Sequence, residues 1–188
     1  KGLKNNQAMS WGVVKNAHPG QSIQVLSRKK YEEQGRPKNA IARTNEFFEW
    51  AASGGVMMLD FDFKGGAMPK DQIMQTLYSI MPKLQESAFI WWCSSSSFIY
   101  NGDTQHSGLK GQRIYILVKD ASDIERAGKV LFERLWLAGH GHFEISKAGS
   151  LLTRSIIDSS VWQPNRLDFI SGANCISPMQ QKRPEPDI

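Results

Sequence analysis

The chain has 188 residues, of which 40% are hydrophobic and 22% are charged. This length suits one domain with a sizeable core, and the composition is that of an ordinary globular protein. No apolar run reaches the roughly eighteen residues that a membrane span needs. The two cysteines, Cys93 and Cys175, form no C-x-x-C pair, which excludes a cysteine-rich zinc site. We therefore expect free, buried thiols in a reducing compartment, and hence a cytoplasmic protein.

The net charge of +5 is confined to one end of the chain. Residues 1–50 hold nine Lys and Arg against four Glu, whereas residues 51–188 balance at 14 against 14. A basic module attached to a neutral one indicates a polyanionic partner.

Helical and strand-like patterns alternate along the chain. In the first half they predict a helix over 44–52, a strand over 56–63 and a helix that Pro69 opens and that ends or kinks at Pro82. Strands over 89–93 and 113–118 follow. A helix then runs from a capping box at 122–125 to a stop at Gly139, and a strand lies near 143–146. This alternation favours an α/β or α+β core. The proline-rich, charged segment 177–188 is typical of a linker that leaves the domain.

The sharpest motif is Leu59-Asp60-Phe61-Asp62-Phe63. Residues two apart in a strand project from the same face, so Asp60 and Asp62 stand side by side while the two Phe point into the core. Such close carboxylates repel each other, and burial protonates one of them unless a cation neutralises the pair. The pair therefore predicts a Mg²⁺ or Mn²⁺ site. The alternative is an edge strand whose polar face carries two Asp by chance.

A serine-rich loop follows the strand over 89–93. It comprises Ser94–Ser97, and the chain returns past His106 through Lys110 and Arg113. Hydroxyls, backbone N–H groups and these two cations can cradle a triphosphate. A polar surface hairpin is the alternative interpretation.

A third segment, Ile156-Ile-Asp158-Ser-Ser-Val-Trp-Gln-Pro-Asn165-Arg166, completes the set. Together the three segments resemble the archaeo-eukaryotic primase superfamily, in particular the primase-polymerase branch of phages, plasmids and integrated elements. In that family hDhD (h is an apolar residue) precedes an S-x-H type motif and an hD motif that is often followed by V-[YW]-x-x-N-R. The resemblance covers roughly residues 50–175.

The resemblance implies a fold and a set of site residues. The fold would be an RRM-like mixed sheet flanked by helices, with an N-terminal α/β module over 1–50, a catalytic core over 51–176 and a tail over 177–188. The metal-binding catalytic residues would be Asp60, Asp62 and Asp158; the nucleotide-binding residues Ser94, Ser95, Ser96, Lys110, Arg113 and Arg166; and the nucleic-acid-binding residues Lys29, Lys30, Arg36, Lys38 and Trp162. Where the family usually has His in the second motif, this chain has Gly111-Gln112-Arg113. Arginine can hold a phosphate oxygen but cannot shuttle a proton.

The implied activity is that of a DNA-dependent primase or polymerase. It would use two Mg²⁺ or Mn²⁺ ions and NTP or dNTP substrates to make or extend primers on single-stranded DNA, in a bacterial or virus-infected cell and together with a helicase domain or protein. Two alternatives stay open. One is a non-catalytic replication-initiator or origin-binding module on a decayed primase fold. The other is an HUH-type nicking endonuclease that uses His140 and His142.

Overall fold

Residues 7–63 and 66–188 are described by the computed structural model, so Lys1 and Lys4 of the basic excess lie outside the described part. The helices are α1 (Arg28–Glu33), α2 (Lys70–Ile80) and α3 (Ile124–Leu137), with 3-10 turns at Pro82–Glu86, Ala121–Asp123 and Ser159–Val161. The strands are β1 (Met9–Ser10), β2 (Val13–Val14), β3 (Gln24–Leu26), β4 (Ala40–Ala42), β5 (Phe48–Glu49), β6 (Gly55–Phe61), β7 (Phe89–Cys93), β8 (Ile99–Asn101), β9 (Thr104–Ser107), β10 (Gln112–Val118), β11 (Gly141–Ile145), β12 (Leu151–Ser155), β13 (Leu167–Asp168) and β14 (Met179–Gln181). The fold is α+β, as the alternation predicted.

The central sheet has three strands in the order β6-β10-β7. Since β10 pairs antiparallel with both neighbours, β6 and β7 run parallel to each other, and the chain passes between them through α2. The expected mixture of parallel and antiparallel strand pairs is therefore wrong for this sheet. The return strand of the serine loop inserts between the two parallel strands, so every hydrogen-bonded pair is antiparallel.

Five smaller sheets surround the central one among the described residues. They are β1-β13, β2-β5, β3-β4, β11-β12 and β14-β8-β9, and β3-β4 is the parallel pair.

The two faces of the central sheet differ in chemistry. One face carries the alternate residues Leu59, Phe61 and Ile114, which are fully buried in the same cluster as Leu77 of α2 and Leu135 of α3. The opposite face, which we call the site face, carries the residues in register between them: Met58, Asp60, Trp92, Arg113 and Tyr115. The period-2 alternation of a strand thus separates a mainly apolar face from one on which Asp60 and Arg113 lie beside the buried Met58 and Tyr115.

Two helical predictions are confirmed with changes at their ends. Pro69 precedes α2 as its N-cap, and α2 ends before Pro82, which starts a 3-10 turn because proline lacks the N–H of a continuing helix. At α3 the predicted capping box is wrong: α3 begins at Ile124 with Asp123 as its N-cap and without a side-chain capping bond, and it follows the 3-10 turn Ala121–Asp123, which Asp120 caps. The Asp120 carboxylate accepts from the backbone N–H of Ser122 at 2.9 Å.

The helix predicted over 44–52 is absent. Residues 44–47 form a turn, and Phe48 lies in β5, where it pairs with Val14 of β2. Phe48 is buried, as its apolar character indicated. Its backbone conformation, however, is that of a strand, because it pairs with a strand that is distant in the sequence.

The linker predicted over 177–188 is also wrong as a description of this segment. β14 adds to β8, and the backbones of Asp187 and Trp91 exchange hydrogen bonds of 2.8 and 2.9 Å. The Arg183 guanidinium lies 3.7 Å from the centre of the Trp92 ring. Proline and charge indicated a solvated segment, whereas the side chains bind it to the domain.

Trp162 is locked between α3 and β6. It is 4% exposed, and its indole N–H donates to the carbonyl oxygen of Met58 at 3.0 Å. A Cβ added at Gly128 of α3 would lie 2.2 Å from the Trp162 ring. Only glycine lets the helix approach the indole this closely.

We predict that Gly128→Ala lowers the free energy of unfolding by about 1–3 kcal/mol, since the added methyl overpacks the core. Urea denaturation measures this change. Lys129→Ala, on the exposed side of the same helix, is the control and should shift stability by less than about 0.5 kcal/mol. Alanine normally favours a helix by about 1 kcal/mol over glycine, so a gain in stability would contradict the packing described.

Candidate functional site

The free edge of β6 brings two of the three motifs together. The backbone N–H of Asp158 donates to the carbonyl oxygen of Asp60 at 2.9 Å, and two residues earlier on the strand Met58 accepts from Trp162. The segment around Asp158 therefore follows the edge of the strand that carries the D-x-D motif.

Asp62 and Asp158 line one cleft of about 440 Å³. Asp62 follows the end of β6 and is exposed, while Phe61 and Phe63 stack with their ring centres 6.4 Å apart. Phe61 and Phe63 thus lie together as predicted, whereas Asp62, which was expected beside Asp60 in the strand, follows the last strand residue, Phe61. The Asp158 carboxylate accepts from the backbone N–H and the hydroxyl of Ser160, both at 2.9 Å, which fixes its orientation.

Asp60 belongs to a buried ionic network. Nε of Arg113, its partner on β10, lies 3.3 Å from the Asp60 carboxylate, and Nη1 of the same guanidinium donates to Asp168 at 2.5 Å. Asp168 is 1% exposed, and its other oxygen accepts from the Tyr115 hydroxyl at 2.9 Å. Arg113 thus holds two carboxylates rather than projecting freely toward a ligand.

The network shifts the pKa values of its members. Burial raises the pKa of Asp60; Arg113 opposes this, but Asp158 and Asp168 add to it by repulsion. Burial lowers the pKa of Arg113, and its two carboxylate partners more than offset the effect, so the net shift is upward. Burial and Asp168 raise the pKa of Tyr115, which stays a neutral donor.

The serine loop divides into structural and exposed members. Ser94 and Ser97 are buried, their hydroxyls lie 3.2 Å apart, and that of Ser97 accepts from the backbone N–H of Lys110. Ser95 and Ser96 instead line a cavity of about 550 Å³ together with Lys110. Of the three predicted phosphate-binding serines, Ser95 and Ser96 therefore face open space and Ser94 supports the loop.

Arg166 lies beside Asp158 rather than at the serine loop. Its Nη2 is 3.8 Å from the Asp158 carboxylate, and the residue is exposed. The predicted nucleotide-binding residues thus fall into two groups, one at the serine cavity and one at the aspartate cleft. Arg113 lies on the site face between them.

The predicted nucleic-acid contacts have different environments. Lys29, Lys30, Arg36 and Lys38 are all exposed, but Lys29 pairs with Glu33 at 3.8 Å and Arg36 pairs with Glu32 at 2.7 Å. The stacking role predicted for Trp162 is wrong, because its ring is buried against Gly128. A tryptophan next to a motif was interpreted as a surface ligand, whereas its ring fills the core.

Asp168, Tyr115 and Gln181 were not identified from the sequence. Asp168 stands between Leu167 and Phe169, the same apolar-Asp-apolar pattern that marked Asp60, and this signal was available. Gln181 lies in the segment that was interpreted as a linker and carries no such signal. Its amide nevertheless bonds to two carbonyls of the serine loop.

The two histidines of the HUH alternative occupy different settings. His140 follows Gly139, whose φ of 83° ends α3, and the His140 carbonyl accepts from the Ser155 hydroxyl. His142 lies in β11 and lines the aspartate cleft. The turn expected around Gly139 is therefore present.

Comparison of the chain with protein-family models, with curated proteins and with solved structures gives no significant match to any of them. Across residues 7–63 and 66–188, no helix has the length and apolar character needed to cross a bilayer.

The acidic residues fit a divalent cation by their chemistry. In the part of the chain that the structure describes, no three His, Cys, Asp or Glu side chains are already grouped around a common metal position. However, Asp62 and Asp158 offer hard oxygen donors to one cleft, and the hydrogen bond from Asp158 keeps Asp60 next to it. A cation there would compete with Arg113 for the Asp60 carboxylate.

The raised pKa of Asp60 gives a prediction for stability. A carboxyl group whose pKa is raised on folding stabilises the fold when protonated, and this contribution is lost as the pH rises through the raised value. We therefore expect Asp60→Asn to gain stability relative to wild type as the pH rises above the ordinary pKa of 3.8. Melting temperatures in EDTA from about pH 4 to about pH 8 measure the difference.

Asp103→Asn is the control, since it removes the same charge from a fully exposed side chain. The description of Asp60 as buried would be wrong if the melting temperature of Asp60→Asn, relative to that of wild type, stayed constant or fell as the pH rises.

Proposed function

We propose that the chain is the catalytic domain of a metal-dependent nucleotidyltransferase of the archaeo-eukaryotic primase type, which makes or extends primers on single-stranded DNA. The observation that carries the proposal is the hydrogen bond from the Asp158 N–H to the Asp60 carbonyl. It joins the hDhD and hD segments, which are far apart in the sequence. This convergence is what an enzyme with an acidic metal site requires.

The topology of the core supports the proposal. Two parallel strands connected through a helix, with a third strand between them, form a split β-α-β unit. A unit of this kind would form part of the RRM-like sheet that the family resemblance implies. The D-x-D motif ends one outer strand, and the serine loop follows the other.

The aspartates would hold divalent cations, with Asp62 and Asp158 facing the cleft and Asp60 joining them. Bound Mg²⁺ or Mn²⁺ would neutralise phosphate charge during transfer of the nucleotidyl group. The residues of the chain supply orientation: Ser160 fixes Asp158, and Arg113 fixes Asp60. Phosphoryl transfer depends mainly on such positioning and on charge neutralisation.

The triphosphate would lie at the serine cavity. Ser95, Ser96 and Lys110 line this space, and serine hydroxyls and the lysine ammonium are donors that phosphate oxygens accept from. The Ser96 hydroxyl also lies 3.0 Å from the hydroxyl of Ser94. Lys30 and Lys38 are exposed on the basic module and remain available for template phosphates. Binding to single-stranded DNA would then weaken as salt is added.

One observation favours the second candidate, a non-catalytic initiator module. Arg113 pairs with Asp60 and thereby occupies a carboxylate that a metal would need. A chain that bound single-stranded DNA or an origin without polymerising nucleotides would have this property.

Primer synthesis and extension on single-stranded DNA, with Mg²⁺ or Mn²⁺, tests the proposal. We expect Asp60→Ala, Asp62→Ala and Asp158→Ala each to reduce nucleotide incorporation by at least about a hundredfold, because each removes a ligand that fixes charge at the reacting phosphate. Asp103→Ala is the matched control and should retain wild-type activity. DNA binding by wild type without incorporation supports the initiator module, and activity unaltered by Asp60→Ala excludes the primase proposal.

A further inference from the structure

The segment Met179–Asp187, which we call the C-terminal strap, runs along the serine loop. β14 pairs with β8 directly after that loop, and the backbone N–H of Lys182 donates to the carbonyl of Phe98 at 2.9 Å. The indole N–H of Trp92, two residues before the loop, donates to the carbonyl of Pro184 at 2.8 Å. The strap therefore contacts the chain both before and after Ser94–Ser97.

Gln181 is the side chain of the strap that holds the loop itself. Its Nε2 donates to the carbonyls of Ser95 and Ser97, at 2.9 and 2.8 Å, and its Oε1 accepts from the backbone N–H of Ala173 at 2.9 Å. Both donors and the acceptor of one amide are thus engaged. Because a glutamine amide is planar, these bonds fix the two loop carbonyls relative to residue 173.

The bonds of Gln181 join two segments of the chain that line the proposed triphosphate cavity. Ser95, whose carbonyl it holds, and Ala173, whose N–H it accepts from, both line this cavity. Arg183 extends the same attachment by donating to the carbonyls of Cys93 and Ile170. Ser95, Gly172 and Ala173 of the cavity lining are small residues that fix little of their own conformation, so these bonds help to set their spacing.

We propose that Gln181 is a positioning residue for nucleoside triphosphate binding. It rests on the proposed function, since the ligand of the cavity is taken to be a triphosphate. By holding the loop backbone, Gln181 orders Ser95 and Ser96 before the ligand arrives. Less conformational entropy is then lost when the ligand binds. Loss of this order weakens binding of the substrate more than it slows the chemical step.

Two variants separate this role from general stability. Gln181→Glu keeps the size and the acceptor but places carboxylate oxygens against two carbonyls, and Gln181→Met keeps the length without either function. Gln180→Glu is the matched control, because it adds the same charge at the adjacent, exposed position of the strap. The measurements are KM and kcat for the nucleotide in primer extension, equilibrium binding of ATP and dATP, and melting temperature.

For both Gln181 variants we expect KM and the dissociation constant for nucleotide to rise about tenfold, while kcat changes less than about threefold. Gln180→Glu should match wild type. Gln181 variants that melt earlier but keep the wild-type KM would show a purely structural role and overturn the inference, as would a Gln180→Glu variant with the same rise in KM. If wild type neither binds nor incorporates nucleotides, both the proposed function and this inference fail. If wild type binds and incorporates nucleotides but the Gln181 variants keep its KM, the inference alone fails.

Discussion

The Arg113–Asp168 ion pair is the interaction on which the site face depends. A carboxylate that is 1% exposed must be neutralised inside the protein, and Arg113 does this at 2.5 Å while Tyr115 donates to the second oxygen. Leaving such a charge without its partner costs about 3–5 kcal/mol. Because Asp168 lies in β13, the pair attaches the β1-β13 sheet to the central sheet and determines where Arg113 can point.

The same pair limits what Arg113 can do in a reaction. Its guanidinium also contacts Asp60, so it orients an acidic residue from within the sheet instead of reaching into the serine cavity. The residue at this position was expected to hold a triphosphate directly, whereas the lining of that cavity comes from Ser95, Ser96 and Lys110. Arg113 therefore supports the site through its two carboxylate partners, Asp60 and Asp168, and is not part of the cavity lining.

Local sequence patterns predicted those features that depend on residues close together in the chain. In β6, Asp60 and Phe61 lie on opposite faces as expected, and Pro82 follows the end of α2 as expected, because both effects act within a few residues. Asp62 was expected in the same strand but follows its end. Phe48, Trp162 and the C-terminal strap were misassigned for the opposite reason. Each is placed by a distant partner, namely β2, Gly128 and the serine loop, and a sequence does not show which distant residues meet.

The charges around Asp60 connect the fold to the proposed chemistry. Five carboxylates lie at the cleft and in the network beside it (Asp60, Asp62, Glu144, Asp158 and Asp168), together with three guanidinium groups (Arg113, Arg154 and Arg166). Five negative charges against three positive ones leave a formal charge of −2. Burial is the largest cause of the raised pKa of Asp60, and repulsion by Asp158 and Asp168 adds to it. Arg113 lowers this pKa but does not cancel the rise. A divalent cation at the cleft would remove this repulsion and lower that pKa. The two proposed functions use different parts of this arrangement: a metal-dependent reaction would use the negative charge, whereas an initiator module would retain the Arg113–Asp60 pair.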